Sequence, residues 1–456
     1  MAQSPRELAL SVLTRWENLA DPPHIPDRTD AHWAPLLPRD RNFAFDLITG
    51  VLRTRGLLDA IIASQLTGSL ASLETKVHAI LWIGAYQLLL HESGRAYATV
   101  DTSVELAKRA GVARSAGLIN AVLRAITRLK PAVEVRHGLS AATFPLNFTH
   151  QIRLERPIFP VPSKDLRAHL AAITSHPRPL VDMLVAAHGE TLATNIMIRN
   201  NLRPLILLRR DDPSFSPLPE TGLLPHENPR FFYVSHGWNP EIEKLVAAGR
   251  LSPQDPTSAK PVEMLVQQCA ARNFAPASIL DLCAGLGTKS VQLARAFPKA
   301  HITAADIDAQ KLSRLIARAA EMRISNVTTT PLANLPVGTT LTGAFDVVLV
   351  DVPCSNTGVM ARRVQSRWRW PQLDRNTLRQ TQLELLVQAA GLVTPGGLVI
   401  YATCAIDPAE NRQLIDAFLA QSSRPLKLLS DELTLPAITD DPAQQHDGGY
   451  MALLSA

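Results

Sequence analysis

Two of the four cysteines in this 456-residue chain stand where a protein can do chemistry. Cys354 follows a proline in "FDVVLVDVPCSNTG", and Cys404 follows a threonine in "GLVIYATCAID". Each closes an apolar run of the kind that forms a buried strand. In a doubly wound sheet the carboxyl ends of the strands open onto one ligand crevice, so both thiols could reach one substrate there. A thiolate adds to electron-poor carbon, and a neighbouring thiol can assist the departure of whatever was added. A single cysteine is as often a small buried hydrophobe, but two of four at strand ends favour the chemical reading. Asp351, three residues before Cys354, ends the same apolar run and would face the crevice; its rival role is a cap for the turn "SNTG". The cysteines form no C-x-x-C pair and have no clustered histidines, which points away from a metal site and from a disulfide framework and toward reduced thiols.

The second constellation is "DLCAGLGTKS", which sets Gly285 and Gly287 between an apolar run and a helical pattern. Backbone without side chains can approach a ligand closely, so Cys283, Ala284, Gly285, Leu286, Gly287, Thr288 and Lys289 are read as a cofactor loop. Ser290 occupies the third position of the G-x-G-x-x-G pattern, so the phosphate-binding signature of nicotinamide enzymes is incomplete. Asp306 closes the next apolar run, 19 residues beyond Gly287, where a carboxylate accepts hydrogen bonds from ribose hydroxyls. Asp308 is placed to cap the following helix. A nucleoside cofactor without phosphate, S-adenosylmethionine, suits this set better than NAD. A third stretch, "ARRVQSRWRWP", carries Arg362, Arg363, Arg367 and Arg369 with Trp368 and Trp370 and no acid. As a loop it suits phosphate contacts and base stacking; a solvated basic face with structural tryptophans is the alternative.

The elements that must hold these residues are legible in the spacing of apolar positions. From about residue 256 to the end, 456, strand-like and helix-like runs alternate: "SILDLC", "TKSVQLARAF", "HITAAD", "AQKLSRLIARAAEM", "NVTTT", "FDVVLVD", "LRQTQLELLVQAAGLV" and "GLVIYATC". That alternation predicts an α/β, Rossmann-like domain with a mostly parallel sheet. Residues 1–130 read as an all-α domain, opened by a capping box at Ser4, Pro5 and Glu7. Between them, residues 131–255 are rich in proline and mixed in pattern, and are expected to form a linker and small α+β RNA-binding subdomain. The formal net charge of +5 leans toward a polyanionic partner. The N-terminus is amphipathic rather than a basic segment followed by an apolar one, and no apolar run is long enough to cross a bilayer, so neither export nor membrane insertion is expected and the setting is cytoplasmic.

"DLCAGLGTKS", "AADID", "DVPCSNTGV" and "YATCAIDPAEN" together resemble the cytosine-5 RNA methyltransferases, and the helical region with "WIGAYQLLL" and "GLINAVLR" resembles the NusB-like domain that one branch, acting on small-subunit ribosomal RNA, carries in front. The resemblance implies S-adenosylmethionine as cofactor, ribosomal RNA as substrate, Cys404 as the nucleophile, Cys354 as the group assisting release, and Asp351 as a hydrogen-bonding partner of the cytosine ring or the cofactor. The basic stretch would then bind RNA, and the protein is expected to act as a monomer. The chain departs from the family at Ala284-Gly285-Leu286-Gly287-Thr288-Lys289, which lacks the usual proline, at Leu332, where many relatives carry an Asp near the adenine, and at Arg412, where relatives are acidic. Two other classes compete: an RNA-binding assembly factor without catalysis, which intact Cys354 and Cys404 argue against, and a nicotinamide-dependent oxidoreductase, which lacks its glycine motif.

Overall fold

The computed structural model describes residues 4–16, 25, 33, 36–91, 96–335, 345–422, 424 and 426–456. The chain divides into two compact units, residues 1–203 with 360–372, and residues 204–359 with 373–456.

The first unit begins with helices Pro5–Leu13, Pro38–Ala63, Thr75–Leu89, Ala96–Arg109 and Ala116–Thr127. The capping box forms at the first of them: Glu7 N–H donates to Ser4 Oγ at 3.3 Å and Ser4 N–H to Glu7 Oε2 at 2.7 Å. Apolar stripes from these helices bury Leu47, Val51, Leu58, Ile80, Ile83, Ile119 and Leu123 completely. A small antiparallel sheet follows (Ala132–Val135, Thr143–Pro145, His150–Arg153), then three helices, Leu166–Thr174, Arg178–His188 and Glu190–Asn201. The linker expected over 131–255 is therefore not one small domain: its first part belongs to the helical unit, and its prolines punctuate real helices, Pro177 and Pro179 sitting at a helix start where a missing N–H costs nothing.

Met360–Gln372 leaves the second unit directly after the Pro-Cys loop and packs within the first. This corrects the reading of its basic residues. Arg367 is fully buried, donating to Arg53 O at 2.9 Å, Asn201 Oδ1 at 2.6 Å and Asn200 O at 2.8 Å. Trp368 is buried too, its indole N–H donating to Leu52 O at 2.8 Å and its ring meeting Trp16 edge-on. Neither side chain is available to RNA. Arg363 and Arg369 remain exposed and Arg362 is half-buried.

The second unit is built on a seven-stranded sheet whose strands, in chain order, are β1 (Ser278–Asp281), β2 (His301–Asp306), β3 (Val327–Pro331), β4 (Phe345–Asp351), β5 (Val393–Thr403), β6 (Lys427–Thr434) and β7 (Gly449–Ser455). They lie in the order β3-β2-β1-β4-β5-β7-β6; the first five are parallel and β7 runs antiparallel to both its neighbours. Successive residues of a strand face opposite sides, and β4 shows why its middle run, Val347–Val350, is wholly apolar: Val347 and Leu349 enter one core, with Leu265, Val291 and Leu315, while Val348 and Val350 enter the other, with Leu386, Leu414 and Phe418. Helices Pro256–Ala271, Thr288–Ala296 and Ala309–Glu321 supply the first core, and Arg375–Leu392 and Arg412–Gln421 the second. A four-stranded antiparallel sheet of short strands, Leu223–Pro225, Phe231–Val234, Leu207–Arg210 and Leu251–Pro253, completes this unit with its own apolar cluster around Leu208 and Phe232. Chain order reverses between β1 and β4, which defines the crevice at the carboxyl ends of the strands.

Candidate active site

Adjacent strands explain how two cysteines 50 residues apart in sequence meet. β4 and β5 pair in parallel with Asp351 opposite Ala402, so the loops leaving them start side by side. Cys354 Sγ and Cys404 Sγ lie 3.0 Å apart as free thiols, each half-buried. Asn356 ties the two: its Nδ2 donates to Cys354 O at 2.9 Å and its Oδ1 lies 3.3 Å from Cys404 Sγ. Its φ of +60°, in the left-handed region, is one that asparagine tolerates better than most residues. Two residues on, Gly358 N–H donates to Cys404 O at 2.9 Å, and a Cβ at Gly358 would stand 2.5 Å from Gly448 O. Only glycine lets the two backbones pass this closely.

Asp351 and Lys289 form the second feature. Lys289, in the first turn of helix Thr288–Ala296, is 2.6 Å from Asp351 Oδ2 and 3.3 Å from Ser258 Oγ. Burial is the largest influence and works against the ammonium charge, but Asp351, with smaller help from Asp281 and Cys404, raises the Lys289 pKa overall. Lys289 therefore links the glycine loop to the Pro-Cys loop rather than standing free within the former. Asp281, at the end of β1, is fully buried, and burial pushes its carboxyl up to about 7 despite a 2.6 Å hydrogen bond from Ser290 Oγ. That bond also explains why serine stands in the third position of the glycine pattern. Burial, together with the charges of Asp281, Asp351 and Asp306, drives the Cys283 thiol upward and disfavours its thiolate form. The Cys354 thiol is also held well up, first by its hydrogen bond with Cys404, then by burial and by the charges of Cys404 and Glu410.

The glycine loop fits a nucleoside cofactor. Gly285 N–H donates to Asp306 Oδ2 at 2.8 Å and Asp308 N–H to Asp306 Oδ1 at 2.9 Å, which fixes the carboxylate at the end of β2. A Cβ on Gly285, whose φ is +57°, would meet no atom within 4 Å, so the main chain there borders open space. Asp308 caps its helix, accepting from Gln310 N–H and Lys311 N–H. Gly287, in contrast, faces the core: a Cβ would lie 2.0 Å from Leu315 Cδ1. Leu332 packs half-buried against the core beyond β3. Ile307 was missed in the sequence; beside Asp306 it is 86% exposed, an apolar surface next to a carboxylate. Also missed were Gln382, Glu410 and Asn411, all buried around the cysteines. The only available signal was the "PAEN" run, which begins four residues after Cys404.

Known proteins resemble both parts of the chain. Residues 272–448 match the model of the 16S rRNA methyltransferase RsmB/F family, and residues 3–128 match the NusB family. Over 91% of its length the chain is similar to ribosomal RNA small subunit methyltransferase B of Cronobacter sakazakii, 27% identical over 90% of that protein, and to that of Erwinia tasmaniensis, 28% identical over 90%. The fold is that of the crystal structure of PH0851, which matches over the whole of both chains with a TM-score of 0.71 at 19% identity.

Proposed function

We propose, for a chain whose residues 272–448 belong to the 16S rRNA methyltransferase RsmB/F family and whose residues 3–128 belong to the NusB family, that it methylates carbon-5 of a cytosine in small-subunit ribosomal RNA through a covalent cysteine adduct. S-adenosylmethionine supplies the electrophilic methyl group, and Gly285, Asp306 and the loop from Cys283 to Thr288 would hold it. The observation carrying this reading is the contact of Cys354 and Cys404, 3.0 Å apart, beside the Asp351–Lys289 pair.

Carbon-5 of cytosine is a poor nucleophile until something adds to carbon-6. The Cys404 thiolate adds there: a carbon–sulfur bond forms and the ring's double-bond electrons become available at carbon-5 for methylation. Product forms when the carbon-5 proton leaves to solvent, the double bond returns and the carbon–sulfur bond breaks, placing the electron pair back on Cys404 Sγ. Cys354, kept protonated, donates to that sulfur as charge returns to it. Asp351, at the same strand end, would accept from the ring amino group, with Lys289, 2.6 Å from its Oδ2, setting its orientation.

The test is a denaturing gel with radiolabelled ribosomal RNA and cofactor. Cys404→Ala should bind RNA yet give neither adduct nor product, whereas Cys354→Ala should methylate once and accumulate a covalent protein–RNA species. Reversed behaviour would exchange the two roles, and full activity in both variants would end the covalent mechanism.

A further inference from the structure

Cys354 and Cys404 are each framed by a buried side chain, and the two framing residues are neighbours in sequence. Glu410 Oε2 accepts from Ser355 N–H at 2.9 Å and from Gln382 Nε2 at 2.9 Å, while the same Gln382 nitrogen donates to Pro353 O at 2.9 Å. The peptide groups on both sides of Cys354 are thus held. Asn411 does the corresponding work around Cys404: its Oδ1 accepts from Thr403 Oγ1 at 2.7 Å and its Nδ2 donates to Ala405 O at 3.0 Å. Glu410 is 3% exposed, Asn411 2% and Gln382 0%, so these contacts are shielded from competing water. The Glu410 carbonyl in turn accepts from the Tyr401 hydroxyl at 2.7 Å, which anchors the pair to β5.

We propose that Glu410 and Asn411 are positioning residues with separate clients, Glu410 setting Cys354 and Asn411 setting Cys404. Neither touches the reacting atoms. Because Glu410 and Gln382 hold the peptide groups flanking Cys354, and Asn411 holds the Thr403 hydroxyl and the Ala405 carbonyl on either side of Cys404, loss of each should impair the step that its cysteine serves. Small displacements of a reacting group cost large factors in rate, so the effects should be selective for that step rather than general. The inference rests on the two-thiol mechanism above for the identity of the steps, but not for the pairing itself.

The experiment compares single turnovers of full-length Glu410→Ala and Asn411→Ala with those of Cys354→Ala and Cys404→Ala, following adduct, methyl incorporation and release. Glu410→Ala should behave as a partial Cys354→Ala: methylation within a few-fold of the parent, release slowed about tenfold or more, adduct accumulating. Asn411→Ala should behave as a partial Cys404→Ala, with adduct formation slowed by a similar factor and release unchanged. KM for RNA should stay within about twofold in both, since neither residue meets the substrate. Glu410→Gln keeps an acceptor for Ser355 N–H and should restore most of the release rate; Asn411→Asp keeps the Thr403 contact, loses the Ala405 one and should fall between. These two isosteric variants carry the test if the alanine forms do not fold. If Cys354→Ala shows no release defect, the assigned roles fail, yet Glu410→Ala must still copy Cys354→Ala. The pairing is overturned if either variant slows both steps equally, if the phenotypes are exchanged, or if neither step changes.

Discussion

At the scale of single residues, the two glycines of the cofactor loop separate what a sequence can say from what it cannot. Both stand in "AGLGTK", and both are read in the sequence as main chain open to a ligand. The structure reverses that expectation for Gly287. Gly287 has φ +78° and its missing Cβ would stand 2.0 Å from Leu315 Cδ1, inside the core, whereas Gly285 borders open space. Gly287→Val should therefore destabilise the protein, by about 1–3 kcal/mol from overpacking alone, with further strain from the backbone. Gly285→Val should cost about 1–2 kcal/mol of backbone strain and lower S-adenosylmethionine affinity at least about tenfold in calorimetry on the folded variant. An unchanged affinity in Gly285→Val would show that the cofactor does not approach this main chain. That Cys354, Cys404, Asp351 and Asp306 would stand at or just past strand ends was legible because residue type and spacing agreed. Glu410, Asn411 and Gln382 were not: Glu410 and Gln382 reach residues about 28 to 55 positions away, and the nearer Asn411 partners, Thr403 and Ala405, follow no periodic pattern that marks a buried polar contact.

At the scale of elements, the strands between Ser278 and Thr403 and the helices that join them were legible because a parallel sheet imposes a strong alternation of fully apolar and amphipathic runs, whereas helix Pro256–Ala271 ahead of them was not foreseen. The last two strands were not foreseen: β6, at the edge, has only half-buried and exposed positions, and β7 inserts antiparallel between β5 and β6, an addition that no crossover helix announces. The stretch "ARRVQSRWRWP" shows the opposite failure, a composition that reads as a nucleic-acid loop while half of it is core. Its arginines should divide by burial. Arg367→Met leaves buried carbonyls of Arg53 and Asn200 without their donor, a loss of about 3 kcal/mol or more that a urea titration would register. Arg363→Gln with Arg369→Gln should leave stability unchanged. In ribosomal RNA binding the same pair should flatten the log-log salt dependence by about 1.5, two contacts at roughly 0.7–0.9 each. A slope that does not move would place the RNA elsewhere.

At the scale of the whole molecule, two chain segments build the helical unit, and the shorter one begins a single residue after the Val359 that ends the Pro-Cys loop. The homology boundary at residue 128 and the compact boundary at 203 therefore both understate what this unit requires. Without residues 360–372, the Trp16 ring loses its edge contact with Trp368 and Leu52 O loses the indole N–H; the carbonyls of Arg53 and Asn200 lose the Arg367 guanidinium. Hydrogen bonds to a charged group are worth about 1.5–3 kcal/mol each, and a domain's whole stability is about 5–15 kcal/mol, so the omission removes a large share of it. A fragment of residues 1–203 should accordingly keep helical far-ultraviolet dichroism but unfold without a sharp transition. The same fragment joined through a flexible linker to residues 360–372 should recover cooperative unfolding and a near-ultraviolet tryptophan signal. Arg367→Met within the joined fragment should abolish that recovery, because the guanidinium bridges helix Pro38–Ala63 and the end of helix Glu190–Asn201. Cooperative unfolding of residues 1–203 alone, at the midpoint of the joined form, would show that the segment adds nothing and that the helical unit folds without the chain that carries Cys354.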